Sequence, residues 1–231
     1  FWLLMFAMRG FYQQDIHDLT SHELDYDFER EVDSIKKGYE DEKIIGRKQV
    51  YMHFSQQPLL DWLPRVYELA PELEIAGSTG NDPNNQRASQ VSWITPNGEK
   101  NTKLFEDMFN LSMEASQRAN WNFDVGILEP LQYTHYGPGE KYDWHVDQLI
   151  DDESSETCRK ISFTMLLNDE FEGGDLQIEC GSPANKDRAQ SIPLQKGDIV
   201  FFPSYIWHRG LPVTSGERHS LVGWLQGPTW R

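Results

Sequence analysis

The stretch KISFTMLLNDEFEGGDLQIEC, residues 160–180, decides the fold class of this sequence. It contains two apolar runs, Lys160–Leu167 and Asp175–Cys180, on either side of the segment EGG at 172–174. Glycine permits the positive φ angles that tight turns need. Short apolar runs bounded by turn residues are typical of antiparallel strands. The stretch therefore predicts two strands joined by a hairpin-type turn.

The same pattern of short apolar runs bounded by turn residues extends over residues 121–231. Turn sequences recur at 137–139 (GPG), 196–198 (KGD) and 214–217 (TSGE). Strands separated by roughly eight to twelve residues favour an all-β barrel or sandwich. The further predicted strands are Val125–Tyr136, Tyr142–Asp147, Ser191–Leu194, Asp198–Pro203, Tyr205–Val213 and Arg218–Gln226.

The first half of the chain has a helical pattern. Apolar residues recur at helical spacing in Asp18–Glu42, Pro58–Leu69 and Thr102–Ala119, and 44–54 and 88–94 are predicted strands. Because the chain has 231 residues and a domain commonly has ~100–200, we expect a single domain over 1–231. Residues 1–120 would form a helical N-terminal support region and residues 121–231 a β core. The fold class is thus mainly β with flanking helices (α+β).

The charge balance and the cysteine content limit the classes of partner and compartment. The formal net charge is −16, which argues against nucleic acid because sequence-independent binding relies on Lys and Arg. Two cysteines favour a reducing, cytoplasmic location over a secreted disulfide scaffold. The apolar start of the chain, residues 1–8, is too short to span a membrane, so no membrane partner is expected. The oligomeric state is unknown.

Two histidines and one aspartate have the composition of a metal site. His145 and Asp147 are two residues apart on a predicted strand, so their side chains would point to the same side. His208, at the end of another apolar run, supplies a third ligand. Two His and one carboxylate form the facial triad of Fe(II) oxygenases. A Zn²⁺ hydrolase with the same ligands would also need a nearby general base, and no H-E-x-x-H motif is present.

An arginine ten residues beyond His208 suggests an anionic small molecule. Guanidinium groups pair with carboxylates in a charge-assisted fork. Arg218 is followed at alternate positions by Ser220, Val222 and Trp224, which would share its face of a strand. That face would combine an anion-binding group with apolar walls.

These motifs, in this order, resemble the prolyl-4-hydroxylase-type Fe(II)/2-oxoglutarate-dependent dioxygenases over about residues 122–230. The pattern that carries the resemblance is Tyr136-x5-Tyr142-x2-His145-x-Asp147, then EGGDL at 172–176, Gly197-Asp198, Phe201, Pro203 and His208, then Gly216-x-Arg218-x5-Trp224.

The resemblance implies a double-stranded β-helix (jelly-roll) core with the N-terminal helices packed outside. It implies that His145, Asp147 and His208 hold Fe(II), and that Arg218 and Tyr136 bind 2-oxoglutarate. The co-substrates would be 2-oxoglutarate and O₂, with ascorbate as a possible reductant. The reaction would be hydroxylation of a C–H bond on a peptidyl proline, with release of succinate and CO₂. Leu166 stands where some relatives have a tyrosine, so the second donor to the distal carboxylate is unassigned.

Other functions stay open at this stage. The same chemistry could act on a free amino acid or another metabolite, a related fold demethylates nucleic acid, and a cupin-like module would only bind. Residues 140–156 contain seven acidic residues and one basic residue, so a neutral or basic, proline-containing peptide is the expected partner.

Several neighbouring residues are further candidates for contacts at this site. Tyr142 could contact the ligand or support its strand, and a mobile lid over 150–159 is a further hypothesis. His135 and His219 should face away from Tyr136 and Arg218 by the alternation of a strand. Possible substrate contacts are Trp144, Trp207, Trp224, Arg87 and Gln90.

Overall fold

The computed structural model describes residues 50–54, 62–70, 72–75, 86–148, 156–181, 184 and 186–229. Contacts divide the chain into units 1–47 and 48–231, and the description concerns the second unit. The predicted helix Asp18–Glu42 and most of the predicted lid lie outside the described residues. A single domain over 1–231 stays a prediction.

Strands dominate the described residues, as the sequence predicts. The helices are α1 (Leu63–Leu69) and α2 (Gly98–Arg118). The strands are β1 (Met52–Phe54), β2 (Glu74–Ile75), β3 (Arg87–Ala88), β4 (Gln90–Ile94), β5 (Ile127–Leu128), β6 (Leu131–Tyr136), β7 (Lys141–His145), β8 (Thr157–Leu166), β9 (Phe171–Gly173), β10 (Leu176–Glu179), β11 (Ala189–Ile192), β12 (Ile199–Pro203), β13 (His208–Gly210), β14 (Val213–Gly216) and β15 (Arg218–Pro228).

The strands form two main antiparallel sheets that give the double-stranded β-helix. The larger sheet has the order β1-β12-β8-β15-β6-β4-β2, with β5 also paired to β15. The smaller has the order β11-β10-β13-β7-β3, and β14 pairs with β9 separately. Sequence neighbours such as β7 and β8 lie in different sheets, so the chain winds between the sheets. This winding brings residues from distant runs to one cavity.

The core lies against the larger sheet and is closed by the two helices. Phe163 and Phe201, on paired strands β8 and β12, are fully buried. On α2, Leu104 and Met108 lie in the same cluster, as does Val66 on α1. The apolar faces predicted for both helices therefore pack on the β core. Met113, an apolar residue of α2, is only partly buried.

Helix α2 begins earlier than predicted. The first predicted helical residue is Thr102, whereas the helix begins at Gly98. Buried Asn101 explains the difference: its side-chain oxygen accepts the N–H of Asn97 at 2.8 Å, and its amide donates to the carbonyl of Thr95 at 2.6 Å. These bonds secure the first turn, since the initial backbone N–H groups of a helix lack intrahelical partners.

Two strand predictions near the proposed ligands are wrong in their bounds. Strand β7 ends at His145, and Asp147 lies in the bend that follows, because its N–H donates to the carbonyl of Ser204 at 3.0 Å. His208 begins β13 rather than ending the preceding apolar strand. That strand, β12, ends at Pro203, whose carbonyl accepts the Ile206 N–H at 2.9 Å to form a turn.

Among the helices that the structure describes, neither has the length and apolar character needed to cross a membrane.

Candidate metal and co-substrate site

A cavity of about 460 Å³ opens between the two sheets. Both sheets supply its walls, from β6, β8 and β15 on one side and from β7, β10 and β13 on the other. Arg87 of the smaller sheet donates to Gln132 of the larger at 2.8 Å, which ties the sheets together at the cavity. The lining includes Tyr136, His145, Asp147, His208, Arg218, Ser220, Val222 and Trp224.

The structure brings His145, Asp147 and His208 together at this cavity. His145 is opposite His208 in the antiparallel pairing of β7 with β13. The Asp147 carboxylate lies 3.7 Å from His145 Nε2 and 3.5 Å from His208 Nε2. One potential ligand atom of each residue lies within 4.8 Å of the others. The pairing of β7 with β13 brings the two histidines together, and the bend after β7 places the Asp147 carboxylate beside them. Alternation of side chains along a single strand would not bring the three residues together.

Both imidazoles are oriented by backbone carbonyls. His145 Nδ1 lies 2.7 Å from the carbonyl oxygen of Asp143, and His208 Nδ1 lies 3.0 Å from that of Ile206. A carbonyl only accepts hydrogen bonds, so each Nδ1 carries the proton and each Nε2 presents a lone pair. This second interaction is the usual way in which proteins orient metal-binding histidines. The donor set of two imidazoles and one carboxylate fits Fe(II).

The ionisation states suit metal binding. Burial lowers the pKa of His145 to about 3, and His208 adds to this effect. Burial opposes the charge on Asp147, but the neighbouring His208 and His145 outweigh it and lower the pKa of its carboxyl. Neutral imidazole and ionised carboxylate are the forms that bind a cation.

Arg218 points into the same cavity from the first position of β15. It is only 7% exposed, and its one hydrogen bond in the described part of the chain runs from Nη1 to Ser220 Oγ at 3.2 Å. No described carboxylate lies within 4 Å of it. Burial lowers the pKa of Arg218, opposed by Tyr136 and Asp175, yet a guanidinium remains charged at neutral pH. A buried cation without a paired anion is costly, which indicates an anionic ligand.

Tyr136 lies beside Arg218. The two residues are direct partners in the β6–β15 ladder, and the guanidinium carbon is 5.7 Å from the centre of the phenol ring. Burial raises the pKa of Tyr136, while Arg87 and Arg218 work against the rise. Its hydroxyl therefore stays protonated and can donate a hydrogen bond to an anion in the cavity.

Two residues, Tyr142 and Gly174, make contacts at this site that the sequence pattern does not predict. Tyr142 stacks on His145 with ring centroids 3.5 Å apart and planes 11° apart. Gly174, at φ +67°, leaves no room for a side chain, because a Cβ there would lie 2.9 Å from Arg218 Cδ. The prediction that EGG forms a hairpin-type turn between two strands is wrong, because Glu172 and Gly173 belong to β9, which pairs with β14, and β8 and β10 lie in different sheets. Gly174 instead shapes the space around the arginine.

The tryptophans separate into two groups. Trp224 lines the cavity, where its ring lies 6.0 Å from that of Trp93 and 4.0 Å from the Arg159 guanidinium carbon. Trp144 and Trp207 instead line a different depression of about 520 Å³ with Arg209. Gln90 is not among the cavity residues, whereas Arg87 is.

The double-stranded β-helix with a His-Asp-His cluster and a buried arginine defines a class of non-haem iron oxygenase folds, and the sequence agrees. Residues 131–226 match the family model of the 2OG-Fe(II) oxygenase superfamily. The predicted resemblance to its prolyl-4-hydroxylase type is confirmed.

Curated relatives of this chain include PKHD-type hydroxylases. The chain is 40% identical over 104 residues to one from Synechococcus sp. (strain CC9605), covering 44% of each protein. It is 40% identical over 107 residues to one from Idiomarina loihiensis, covering 43% of this chain and 45% of the relative. The chain spans about half the length of the curated relatives that it matches.

Solved structures confirm the fold. A Pseudomonas putida prolyl-4-hydroxylase aligns with a TM-score of 0.58 at 23% identity, covering 78% of this chain and 94% of that one. The viral collagen prolyl hydroxylase from Paramecium Bursaria Chlorella virus-1, in its 2OG complex, gives 0.58 at 22% identity, with 78% and 97% covered.

Proposed function

We propose that this chain is an Fe(II)- and 2-oxoglutarate-dependent dioxygenase that hydroxylates a C–H bond, with peptidyl proline as its substrate and succinate and CO₂ as products. The observation that carries the proposal is the position of Arg218. It is a buried cation without a described carboxylate partner, in the same cavity as the His-Asp-His cluster. The family of residues 131–226 supports this enzyme class.

In this proposal, His145, Asp147 and His208 hold the iron. Their ligand atoms converge, and the backbone carbonyls fix both rings before a metal arrives. Three protein ligands leave coordination positions for a co-substrate and dioxygen. When bound, the iron and 2-oxoglutarate supply the oxidation of the substrate C–H bond by O₂.

Arg218 and Tyr136 would hold the distal carboxylate of 2-oxoglutarate. The arginine provides the charge, and the protonated phenol provides a hydrogen-bond donor. Ser220 also lines the cavity and lies at hydrogen-bond distance from Arg218, so its hydroxyl is a candidate for the donor that Leu166 cannot supply. Ascorbate would serve only to keep the iron reduced.

The protein's contribution to the reaction is positioning and the exclusion of water. Phe163, Leu176 and Phe202 form apolar walls, which limit the access of solvent to a reactive centre. The proposed chemistry uses no side-chain general base, because the cofactor performs the oxidation.

A peptide substrate is supported by the mouth of the cavity. Ile75 is 87% exposed and Trp93 is 43% exposed, and both line the opening. Exposed apolar side chains beside a cavity mark a surface for an extended partner. A prolyl hydroxylase from Trichoplax adhaerens, solved in complex with a hypoxia inducible factor peptide, shares this fold with a TM-score of 0.57 at 14% identity.

The test of the enzyme class is succinate formation from 2-oxoglutarate with Fe(II) and ascorbate present. We expect turnover by the unaltered chain and none above background for Asp147→Asn, which removes the carboxylate charge from the cluster. Asp169→Asn is the matched control, because Asp169 is an exposed aspartate in the turn after β8. Equal turnover by Asp147→Asn and the control would refute the proposal.

The test of the substrate class is mass spectrometry after incubation with proline-containing peptides and with free amino acids. We expect the mass of one oxygen atom to be added to a peptide and to map to proline. Oxygen added only to free amino acids would refute the peptide substrate while leaving the enzyme class intact. Peptides of neutral or basic charge should react faster than acidic ones, given the chain's net charge of −16.

A further inference from the structure

A second cluster of two histidines and a carboxylate lies on the outer side of the β6–β15 ladder. Its members are His135 on β6, His219 on β15 and Glu217, which directly precedes β15. His135 and His219 are partners in the ladder, one step from the pair Tyr136 and Arg218. Successive strand residues point to opposite faces, so this cluster lies behind the proposed co-substrate site.

The spacing of this outer cluster matches that of the cavity cluster. The Glu217 carboxylate lies 3.5 Å from His135 Nε2 and 3.8 Å from His219 Nε2. In the cavity, the corresponding distances from Asp147 are 3.7 Å and 3.5 Å. Two ligands about 2.0–2.2 Å from a tetrahedral Zn²⁺ lie roughly 3.4 Å apart. The Nε2 and carboxylate atoms are therefore separated as ligands of one ion would be.

Neighbouring residues hold the ligands in this arrangement. His219 Nδ1 lies 2.7 Å from the Tyr133 hydroxyl, which leaves Nε2 directed at Glu217. The Asn168 side chain donates to the Glu217 carbonyl at 2.7 Å and accepts the His219 N–H at 2.8 Å. The backbone between the two outer ligands is therefore fixed without use of the Glu217 carboxylate.

The two histidines have few other polar partners. His135 Nδ1 is buried and makes no hydrogen bond to the described residues, and the Nε2 edge of this ring faces the Glu217 carboxylate at 3.5 Å. The side chains of His135 and His219 are 13% and 18% exposed, whereas that of Glu217 is 65% exposed. A cation can reach the cluster from solvent on the side of Glu217.

We propose that His135, Glu217 and His219 bind a zinc-type divalent cation, with water in the fourth position. Imidazole nitrogen and carboxylate oxygen are ligands that Zn²⁺ accepts readily. The bound ion would join β6 to β15 directly behind Tyr136 and Arg218. The site does not depend on the proposed dioxygenase activity, since none of its residues lines the cavity.

Equilibrium dialysis against Zn²⁺ tests the proposal by counting bound ions. We expect Glu217→Gln to bind one ion fewer than the unaltered chain. Asp147→Asn should also lose one ion, and the double variant should lose two. Glu172→Gln is the matched control because Glu172 is an exposed strand glutamate close in sequence to Asn168, and it should lose none. An unchanged count and affinity in Glu217→Gln would overturn the outer site.

Cobalt(II) provides a second measurement. In Asp147→Asn, with the cavity site weakened, we expect bound Co²⁺ to give the strong visible absorption of four-coordinate cobalt. His135→Asn, added to that background, should abolish this band. If the band persists, His135 is not a ligand and the proposal fails. Both experiments count metal rather than turnover, so they remain decisive even if no succinate is formed.

Discussion

Two clusters, each of two histidines and one carboxylate, occupy different settings in this fold. The cavity cluster belongs to β7, β13 and the bend after β7, whereas the outer cluster lies on the β6–β15 ladder. At the cavity, both imidazoles are held by backbone carbonyls. On the outer face, only His219 has a partner at Nδ1, the Tyr133 hydroxyl, and the carboxylate is exposed. Orienting partners strengthen metal binding, so the two clusters should differ in affinity despite their similar ligand spacing. We expect the cavity cluster to bind metal more tightly.

The largest effect on activity should come from substitution of Arg218, the buried cation on the cavity side of the β6–β15 ladder. Arg218→Ala should raise the 2-oxoglutarate concentration required for turnover by on the order of a hundredfold, because loss of one member of a buried charged pair costs about 3 kcal/mol. Metal binding should be retained. The measurement is the KM for 2-oxoglutarate together with the bound-metal count.

Arg188→Ala is the control for this change, because Arg188 pairs with Glu179 away from the cavity. Its KM should stay unchanged. Loss of metal from Arg218→Ala would contradict the assignment of the arginine to the co-substrate.

The next effect concerns the glycine that packs against Arg218. Gly174→Ala and Gly139→Ala both place a side chain at positive φ, +67° and +83°, which should cost about 1 kcal/mol of unfolding free energy each. Only the Gly174 Cβ meets Arg218, at 2.9 Å, since nothing lies within 4 Å of the Gly139 Cβ. Gly174→Ala should therefore also raise the KM for 2-oxoglutarate, by about tenfold.

Denaturant unfolding and steady-state kinetics measure the two parts of this prediction. Equal KM values in Gly174→Ala and Gly139→Ala would mean that the arginine adjusts to the added methyl group without losing its function.

Tyr133→Phe tests whether the Tyr133 hydroxyl orients His219 in the outer cluster. The change removes the hydroxyl that contacts His219 Nδ1 and preserves the ring. Zn²⁺ affinity at the outer cluster should fall by about tenfold, the lower limit for loss of such an orienting partner, while affinity at the cavity is unchanged. Competition with a chelator measures both constants. An equal decrease at both sites would contradict the assignment of the Tyr133 hydroxyl to the outer cluster alone.

Local sequence patterns predict which face of a strand each site residue occupies. Which of these residues meet depends on pairings between strands that are distant in sequence. The alternation of side chains along a strand places Tyr136 and Arg218 on one face. It places His135 and His219 on the opposite face, because this pattern depends only on the two-residue period of a strand. The approach of His145 to His208 depends on β7 pairing with β13, which no local pattern specifies. The outer cluster was missed for the same reason: His135 and His219 are far apart in sequence and meet through the ladder.

The bend at Asp147 shows the same limit at short range. The H-x-D spacing predicts the convergence of two ligands, but by the wrong geometry, since β7 ends at His145. The Asp147 carboxylate is placed beside the histidines because its backbone N–H donates to the carbonyl of Ser204, a residue distant in sequence. The packing of Gly174, in the link between β9 and β10, on Arg218 of β15 is likewise a contact between segments distant in sequence, so the EGG sequence alone does not indicate it.

The smallest effect should come from Tyr142, whose ring lies against His145 at a centroid distance of 3.5 Å. An aromatic stack is worth about 1 kcal/mol, so Tyr142→Leu should weaken metal binding at the cavity by roughly fivefold and leave the outer cluster unaffected. Chelator competition measures this change, and Tyr51→Leu, a tyrosine outside the cavity lining, is the control. If Tyr142→Leu instead raises the KM for 2-oxoglutarate without changing metal affinity, the ring contacts the co-substrate rather than supporting the ligand, and orientation of the inner histidines rests on the carbonyls alone.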